Sequence, residues 1–201
     1  MPNLAEQLPD LTADDYLAAE TESPVKHEYV DGLVYAMAGA SEAHVTVAGN
    51  IFALLRGHLR DGPCRVYISD MKLRIEQADA YFYPDVFVTC ADSDAPRQQA
   101  KAEAQVVIEV LSDRTEGYDR GEKFARYRRL PTLQEYVLID PRRPSVEVFS
   151  RRDDGWLLRP VPEDGQLTID SLDFACGLDA VYEDVVFQAD SPTHDAEPRA
   201  S

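Results

Sequence analysis

The sequence predicts a single α/β domain built on a mixed sheet. Its 201 residues and 44% hydrophobic content are enough to form one sizeable core. Its periodic segments follow the order helix, three strands, helix and further strands, which favours helices packed on a sheet of mixed direction. We place the domain at residues 12–187 and expect residues 1–11 and 188–201 to be flexible acidic tails.

The N-terminal elements are a short helix, a hairpin and a longer helix. Residues 12–19 begin with Thr-Ala-Asp-Asp, which is typical of a capped helix with acidic residues in its first turn. Residues 26–38 are predicted to form a hairpin, because Asp31-Gly32 separates two apolar runs. Residues 41–59 carry apolar side chains at helical spacing behind Ser41, a favourable N-cap.

The rest of the chain is mostly β-rich. Strands are predicted at residues 65–75, 81–89 and 106–111, with a polar loop at residues 91–103. A second helix is predicted at residues 115–130, and Pro131 ends it. Further β-rich segments follow at residues 135–140, 145–151 and 156–161.

The charge of the chain is strongly negative. Its 20 Lys and Arg residues oppose 37 Asp and Glu residues, for a net charge of -17. Such a composition argues against nonspecific affinity for nucleic acid, which usually needs a cationic surface. Basic residues nevertheless cluster at residues 120–129 and 142–152, so the composition is compatible with a locally positive face.

Cysteine spacing and hydropathy predict a cytoplasmic protein without a membrane segment. Cys64, Cys90 and Cys176 are odd in number, far apart and without CxxC spacing, which suits reduced thiols better than a disulfide framework or a zinc site. No apolar run approaches the roughly 20 residues that cross a bilayer. The N-terminal residues lack the basic and apolar regions of a secretory signal.

Two acidic residues interrupt consecutive apolar strands. Asp85 lies within YFYPDVFVTC and Glu109 within QVVIEVLS, where a lone ionised group is costly to bury. If the strands are neighbours and the two side chains share a face, their carboxylates need a shared proton or a hard cation. Oxygen ligands without His or Cys favour Mg²⁺ or Mn²⁺ over zinc. The alternative is a paired structural role for both acids.

The helix after Glu109 contains a candidate cation. Asp119, Lys123 and Tyr127 are four residues apart and share a stripe of the predicted helix. Periodicity leaves two interpretations open. Asp119 and Lys123 can form a surface ion pair, or Lys123 can reach over the strand ends toward the two carboxylates and bind a phosphate oxygen or orient a water.

Several motifs together resemble one family, the Uma2 family. The segments that carry this resemblance span about residues 12–187 and are EYVDG at 28–32, His44, YPDVF at 83–87, IEVLS at 108–112, YDRGEK at 118–123 with Tyr127, and LQEYVLIDP at 133–141. Uma2 proteins resemble nucleases of the PD-(D/E)XK superfamily. The resemblance implies a restriction-endonuclease-like αβββαβ core, with Asp85 on its second strand and Glu109 on its third.

One position departs from the usual nuclease signature, which has a lysine two residues after the acid. Here Glu109 is followed by Val110 and Leu111. In the Uma2 family the role of that lysine is thought to pass to the following helix, and this maps onto Lys123.

Three further residues are candidates for the site. His44 lies in the first turn of its predicted helix and either contacts the site or is a hydrogen-bonded core residue. Glu28 precedes the hairpin turn and either points to the site or pairs with Lys26. Asp70 alternates with basic residues, which favours a solvated strand face over a role in the site.

The resemblance implies a divalent-metal-dependent endonuclease. Asp85 and Glu109 would hold Mg²⁺ or Mn²⁺, Lys123 would stabilise developing charge, and the substrate would be nucleic acid, with DNA expected. A homodimer is also implied. The competing hypothesis is a nuclease-fold binding or scaffold protein that no longer cuts, which the net charge and the missing in-strand lysine favour.

Overall fold

The computed structural model describes residues 11–187 of the chain. Its helical elements are α1 (Ala13–Glu22), α2 (Glu42–His58), α3 (Glu116–Tyr118), a π-helical turn (Asp119–Lys123), α4 (Phe124–Tyr127), α5 (Leu178–Val181) and three short 3₁₀ turns. Its strands are β1 (His27–Val30), β2 (Leu33–Ala36), β3 (Arg65–Ile68), β4 (Lys72–Ile75), β5 (Ala80–Phe82), β6 (Val86–Thr89), β7 (Ala100–Lys101), β8 (Ala104–Val110), β9 (Glu135–Asp140), β10 (Ser145–Arg152), β11 (Gly155–Val161), β12 (Gln166–Ile169) and β13 (Phe174–Gly177).

A six-stranded sheet in the order β11-β10-β9-β8-β6-β3 contains the predicted core. β3, β6 and β8 are antiparallel neighbours, and β9 lies parallel to β8 after the crossover through α3 and α4. With α2 preceding β3, this is the αβββαβ order, so the predicted mixed α/β fold class is confirmed. The antiparallel hairpin of β10 and β11 extends the sheet at one edge.

A second sheet, in the order β2-β1-β5-β4-β7, includes the N-terminal hairpin. The hairpin turn has positive φ at both Asp31 and Gly32, as a tight turn between twisted strands requires. The prediction of continuous strands at residues 65–75 and 81–89 was wrong, because each segment crosses from one sheet to the other. A turn closed by the Met71 N–H on the Ile68 carbonyl breaks the first segment, and Pro84 breaks the second.

The central sheet separates two apolar clusters. Alternate side chains of β6 and β8, such as Val86 and Ile108, pack with α2 and with the C-terminal strands. The other set, such as Phe87 and Val107, packs with the α3–α4 helix and the second sheet. Asp85 and Glu109 follow the alternation of this second set. Both carboxylates are therefore on the face that the α3–α4 helix covers.

The cysteine prediction was wrong for two of the three residues. Cys64 and Cys90 form a disulfide, and Cys176 is a free thiol. Arg65 pairs with Thr89 across β3 and β6, so the next position outward brings the two cysteines opposite each other. This register cannot be obtained from cysteine spacing in the sequence. The burial of Cys176 raises its pKa to about 11.

The predicted tails lie outside the described residues, except for Leu11, whose carbonyl accepts a hydrogen bond from Tyr29. The β12–β13 hairpin and α5 were not predicted individually from the sequence. Within residues 11–187, no helix is both long enough and apolar enough to span a bilayer.

Candidate active site

The paired strands β6 and β8 bring Asp85 and Glu109 together. Val86 pairs with Ile108, so Asp85 lies opposite Glu109 one position further along. Each carboxylate accepts a hydrogen bond from the opposite strand: Asp85 Oδ2 from the Val110 N–H at 2.8 Å, and Glu109 Oε2 from the Asp85 N–H at 3.4 Å. These bonds hold both carboxylates at the same end of the same sheet face.

Lys123 reaches this pair from the helix above. Its Nζ lies 3.0 Å from Glu109 Oε1 and 2.9 Å from Glu28 Oε1, and its side chain is only 8% exposed. The ammonium also lies 5.3 Å from the centre of the Phe82 ring. The alternative in which Glu28 pairs with Lys26 was therefore wrong, because Lys26 contacts Asp70 instead.

The π-helical turn explains why one helix presents three polar side chains to the site. In an α-helix, residues four apart are offset by about 40°, so residues eight apart are offset by about 80°. The wider turn over Asp119–Lys123 rotates successive residues by less than an α-turn and offsets this drift. Asp119 Oδ1 thus lies 3.8 Å from Lys123 Nζ, while the Tyr127 hydroxyl donates to Glu109 Oε1 at 2.7 Å.

His44 contacts the site from the opposite face of the sheet. Ser41 caps α2 by accepting a hydrogen bond from the His44 N–H, and His44 Nε2 lies 2.9 Å from Asp85 Oδ1. Burial favours the neutral imidazole, but the hydrogen bond and charge of Asp85 outweigh burial and raise the pKa of His44. His44 is therefore suited to hold Asp85 Oδ1 while Val110 holds Oδ2.

The electrostatics of the cluster are dominated by an excess of carboxylates. Glu28, Glu109 and Asp119 surround the ammonium of Lys123, and Asp85 lies against Glu109. Burial raises the pKa of Glu109 to about 8, with Lys123 opposing the shift and Asp85 adding to it. Burial also raises the pKa of Asp119. Burial alone would lower the pKa of Lys123, but the Glu109 and Glu28 carboxylates outweigh it and raise this pKa well above its ordinary value.

This donor set fits a hard divalent cation. Carboxylate oxygens are the ligands that Mg²⁺ prefers, and it usually binds one or two of them while retaining several waters. Asp85 and Glu109 supply two carboxylates, and a bound dication would compensate their charge. Within residues 11–187, no three His, Cys, Asp or Glu side chains form a complete metal-binding group. The described residues therefore offer two carboxylates to such an ion and no complete protein cage.

The structure brings all five sequence-predicted site residues together: Asp85, Glu109, Lys123, His44 and Glu28. The surface ion pair between Asp119 and Lys123 was the wrong alternative, because both side chains are buried against the site. Asp70 lies on an exposed position, as the strand pattern indicated. Asp119 and Tyr127 also contact this cluster but were not predicted there, although their spacing from Lys123 was the available signal.

The chain belongs to the Uma2 family. The family model, described as "Putative restriction endonuclease", matches residues 13–182. The fold and the match together define a restriction-endonuclease-like protein.

Two relatives come from Synechocystis sp., and both are described as uncharacterized. The protein slr1290 is 36% identical over 180 residues, covering 89% of this chain and 95% of its own. The protein sll1609 is 37% identical over 151 residues, covering 74% of this chain and 85% of its own.

A solved structure from Anabaena variabilis has the same fold. It is described as a "putative nuclease belonging to DUF820" and matches with a TM-score of 0.69 and 17% identity. The match covers 86% of this chain and 97% of that one. At this identity the likeness shows the fold alone.

Proposed function

We propose that this protein is a divalent-metal-dependent endonuclease that hydrolyses phosphodiester bonds of nucleic acid, with DNA as the substrate and Mg²⁺ or Mn²⁺ as the ion. The observation that carries the proposal is the placement of Asp85 and Glu109 on one sheet face, with the Lys123 ammonium 3.0 Å from Glu109. The family match and the nuclease-like fold support the same class of reaction.

Each site residue then has a role that its contacts suggest. Asp85 and Glu109 would hold the ion, together with a main-chain carbonyl such as that of Val110. When bound, the ion neutralises charge on the phosphate and lowers the pKa of an attacking water. His44 and the Val110 N–H orient Asp85, and Tyr127 orients Glu109. Lys123 supplies the fixed positive charge that stabilises charge developing on the phosphate.

The position of Lys123 supports the transfer of the lysine role from strand to helix. The site has no lysine two residues after Glu109, yet an ammonium lies against that carboxylate. Glu28 and Asp119 hold the ammonium from two other directions, so its position is determined by three carboxylates. The same arrangement weakens the main argument for a scaffold protein, which was the missing in-strand lysine.

A cleavage assay tests this function. Supercoiled plasmid and labelled oligonucleotides are incubated with the purified protein in Mg²⁺, Mn²⁺ or EDTA. We expect metal-dependent cutting that Asp85→Asn and Lys123→Met reduce by at least a hundredfold. Asp70→Asn is the matched control, because its carboxylate is 75% exposed and paired with Lys26 outside the site. Cutting that persists in Asp85→Asn would identify a contaminating nuclease and remove the support.

Metal titration separates the enzyme from the scaffold alternative. Calorimetry should detect Mg²⁺ or Mn²⁺ binding in the wild-type protein and not in Asp85→Asn. If the protein bound neither metal nor, at low salt, nucleic acid, the result would favour a scaffold protein. Sedimentation measures the oligomeric state and tests the implied homodimer.

A further inference from the structure

Four of the eight arginines in the two basic clusters are paired with carboxylates. Arg120 contacts Glu147, Arg126 contacts Asp31, and Arg142 and Arg143 contact Asp140. The remaining arginines of the two clusters have no carboxylate oxygen within 4.0 Å among residues 11–187, and they are Arg128, Arg129, Arg151 and Arg152. These four arginines, distant in sequence, are brought to one place.

The contact between the clusters runs through the end of the α3–α4 helix. Arg151 donates from Nη2 to the carbonyls of Arg128 at 3.1 Å and Leu130 at 2.8 Å, and from Nε to the carbonyl of Leu133 at 2.6 Å. A guanidinium at this position complements the negative end of the helix. Arg151 is therefore a fixed positive charge. Arg152 is exposed and donates to the Arg151 carbonyl. Arg128 is exposed at the helix end, and the neighbouring Arg129 is exposed with Nη1 donating to the Gln77 carbonyl at 2.9 Å.

Two aromatic rings order this group of arginines. The Arg128 guanidinium lies 5.1 Å from the centre of the Phe124 ring, and that of Arg151 lies 4.7 Å from the centre of the Trp156 ring. Phe124 and Trp156 contact each other edge to face, with ring centres 5.3 Å apart. These contacts restrict both guanidiniums. Arg128 makes no side-chain hydrogen bond within residues 11–187, so its N–H groups are free to donate, whereas Arg151 already donates to three carbonyls.

We propose that Arg128, Arg129, Arg151 and Arg152, with Trp156, form a docking surface for the phosphate backbone of duplex DNA. We call it the arginine surface. The proposal rests on the proposed function, because it names a second region through which the same substrate is held. The four arginines outnumber the two exposed acids beside them, Asp153 and Asp154. On a chain with a net charge of -17 this surface is therefore locally positive, and its charge complements a polyanion.

The surface lies at the other end of the central sheet from the site. The Arg151 N–H donates to the Gln134 carbonyl, just before β9, whereas Glu109 pairs with Leu138 four residues further along that strand. Four residues of a strand span about 13 Å, which corresponds to about four nucleotides at 3.4 Å of duplex axis per phosphate. A duplex cut at the site and held by this surface would therefore have to extend at least that far beyond the scissile bond.

Fluorescence of the single tryptophan gives a direct test, because Trp156 lies within the surface. The full-length protein is titrated with a 20-base-pair duplex in EDTA at low salt, so that binding is measured without cutting. Trp156 emission and the anisotropy of a labelled duplex are recorded together. We expect both signals to saturate at the same concentration.

Arginine variants then show which residues contribute to the affinity for the duplex. Arg128→Gln combined with Arg152→Gln should weaken binding about tenfold or more and reduce the slope of log affinity against log salt by about two. The matched control is Arg56→Gln combined with Arg60→Gln, two exposed arginines at the end of α2 with no carboxylate partner in the described part of the chain. This control should bind as the wild-type protein does, and circular dichroism should show that both variants fold.

Several outcomes would overturn the arginine surface. They are equal losses in the two double variants, binding without a change in Trp156 emission, equally tight binding of polyglutamate, and no binding by the wild-type protein. Failure of the arginine surface can be distinguished from failure of the proposed function. Metal-dependent cleavage that is lost in Asp85→Asn, with unchanged duplex affinity in the Arg128 and Arg152 variant, would leave the nuclease standing and remove only the surface.

Discussion

Glu109 and Glu135 are both buried glutamates on neighbouring parallel strands, β8 and β9, but they have different partners. Glu135 accepts hydrogen bonds from the backbone N–H groups of Asp170 and Ser171 and from the Ser171 hydroxyl, so it ties the β12–β13 hairpin to the central sheet. Its partners are neutral donors of one short turn. Glu109 instead shares one ammonium with Glu28 and Asp119 and lies opposite Asp85.

The comparison shows that burial of a carboxylate does not by itself indicate a functional site. A charge satisfied by local backbone donors is a structural feature. Carboxylates that accumulate around too few cations leave a deficit of positive charge, which a proton or a bound ion must compensate. The two buried lysines differ in the same way, since Lys101 donates to the carbonyls of Asp94 and Arg97 while Lys123 faces carboxylates.

The largest expected effect is that of removing the ammonium of the site. Lys123→Met should lower the free energy of unfolding by about 3–5 kcal/mol at pH 8 in EDTA, because two buried carboxylates, Glu109 and Asp119, and the partly buried Glu28 lose their counter-charge. The loss should be smaller at pH 5, where protonation relieves the repulsion. Urea unfolding at both pH values measures the difference.

Lys101→Met is the matched control for that experiment. Lys101 is also buried, but its carbonyl partners do not titrate. Replacing Lys101 should lower the free energy of unfolding by a similar amount at pH 5 and pH 8. An equal pH dependence in the two variants would contradict the distinction between the two lysines.

The second effect is a pH dependence that Glu109 introduces. Its pKa of about 8 in the folded protein lies above the ordinary value of 4.5, so its contribution to stability is full below about pH 4.5 and is lost as the pH rises through 8. In the proposed site, binding of Mg²⁺ would require the ionised carboxylate and would have the opposite pH dependence. Apparent Mg²⁺ affinity should therefore fall about tenfold for each pH unit below 8, since proton and metal compete for one group.

Calorimetry in buffers of different ionisation enthalpy measures this competition. Near pH 7, close to one proton should be released for each Mg²⁺ bound. A constant affinity between pH 6 and pH 8, with no proton release, would show that Glu109 is already ionised or does not hold the ion.

The third effect separates the two glutamates. Glu135→Gln should destabilise the protein by about 1–3 kcal/mol, because the donors of residues 170–171 lose a charged acceptor. Glu109→Gln should leave the stability at pH 6 within about 1 kcal/mol of wild type, because a protonated Glu109 resembles glutamine. Cleavage should be lost in Glu109→Gln and retained in Glu135→Gln at temperatures where both are folded. The reverse pattern in either assay would invalidate the comparison.

The sequence indicated which candidate side chains would lie together better than it predicted the sheets. Asp85 and Glu109 interrupt apolar runs, and this anomaly, together with the motif resemblance, was visible without coordinates. Sheet membership was not visible, because β propensity is local and does not specify the partner strand. Pro84 was the signal that residues 81–89 could not form one strand.

Two other features depend on geometry that sequence patterns do not encode. The π-helical turn changes the phase of the helix, so Asp119, Lys123 and Tyr127 lie closer to one line than their α-helical spacing alone would place them. The disulfide depends on the register of β3 and β6, which brings Cys64 opposite Cys90. In both cases the residue types were known, and their relative position was not.

The smallest effect concerns two buried tyrosines whose hydroxyls donate to different acceptors. Tyr127 and Tyr136 are both fully buried, and Tyr127 donates to Glu109 while Tyr136 donates to the backbone carbonyl of Asp119 at 3.0 Å. Each Tyr→Phe substitution removes one hydrogen bond and should cost about 1 kcal/mol in urea unfolding. Only Tyr127→Phe should also shift the pH midpoint of Mg²⁺ binding upward, because it removes a donor to the ionised carboxylate. An equal shift in Tyr136→Phe would mean that general packing, and not the hydrogen bond from Tyr127, determines the ionisation of Glu109.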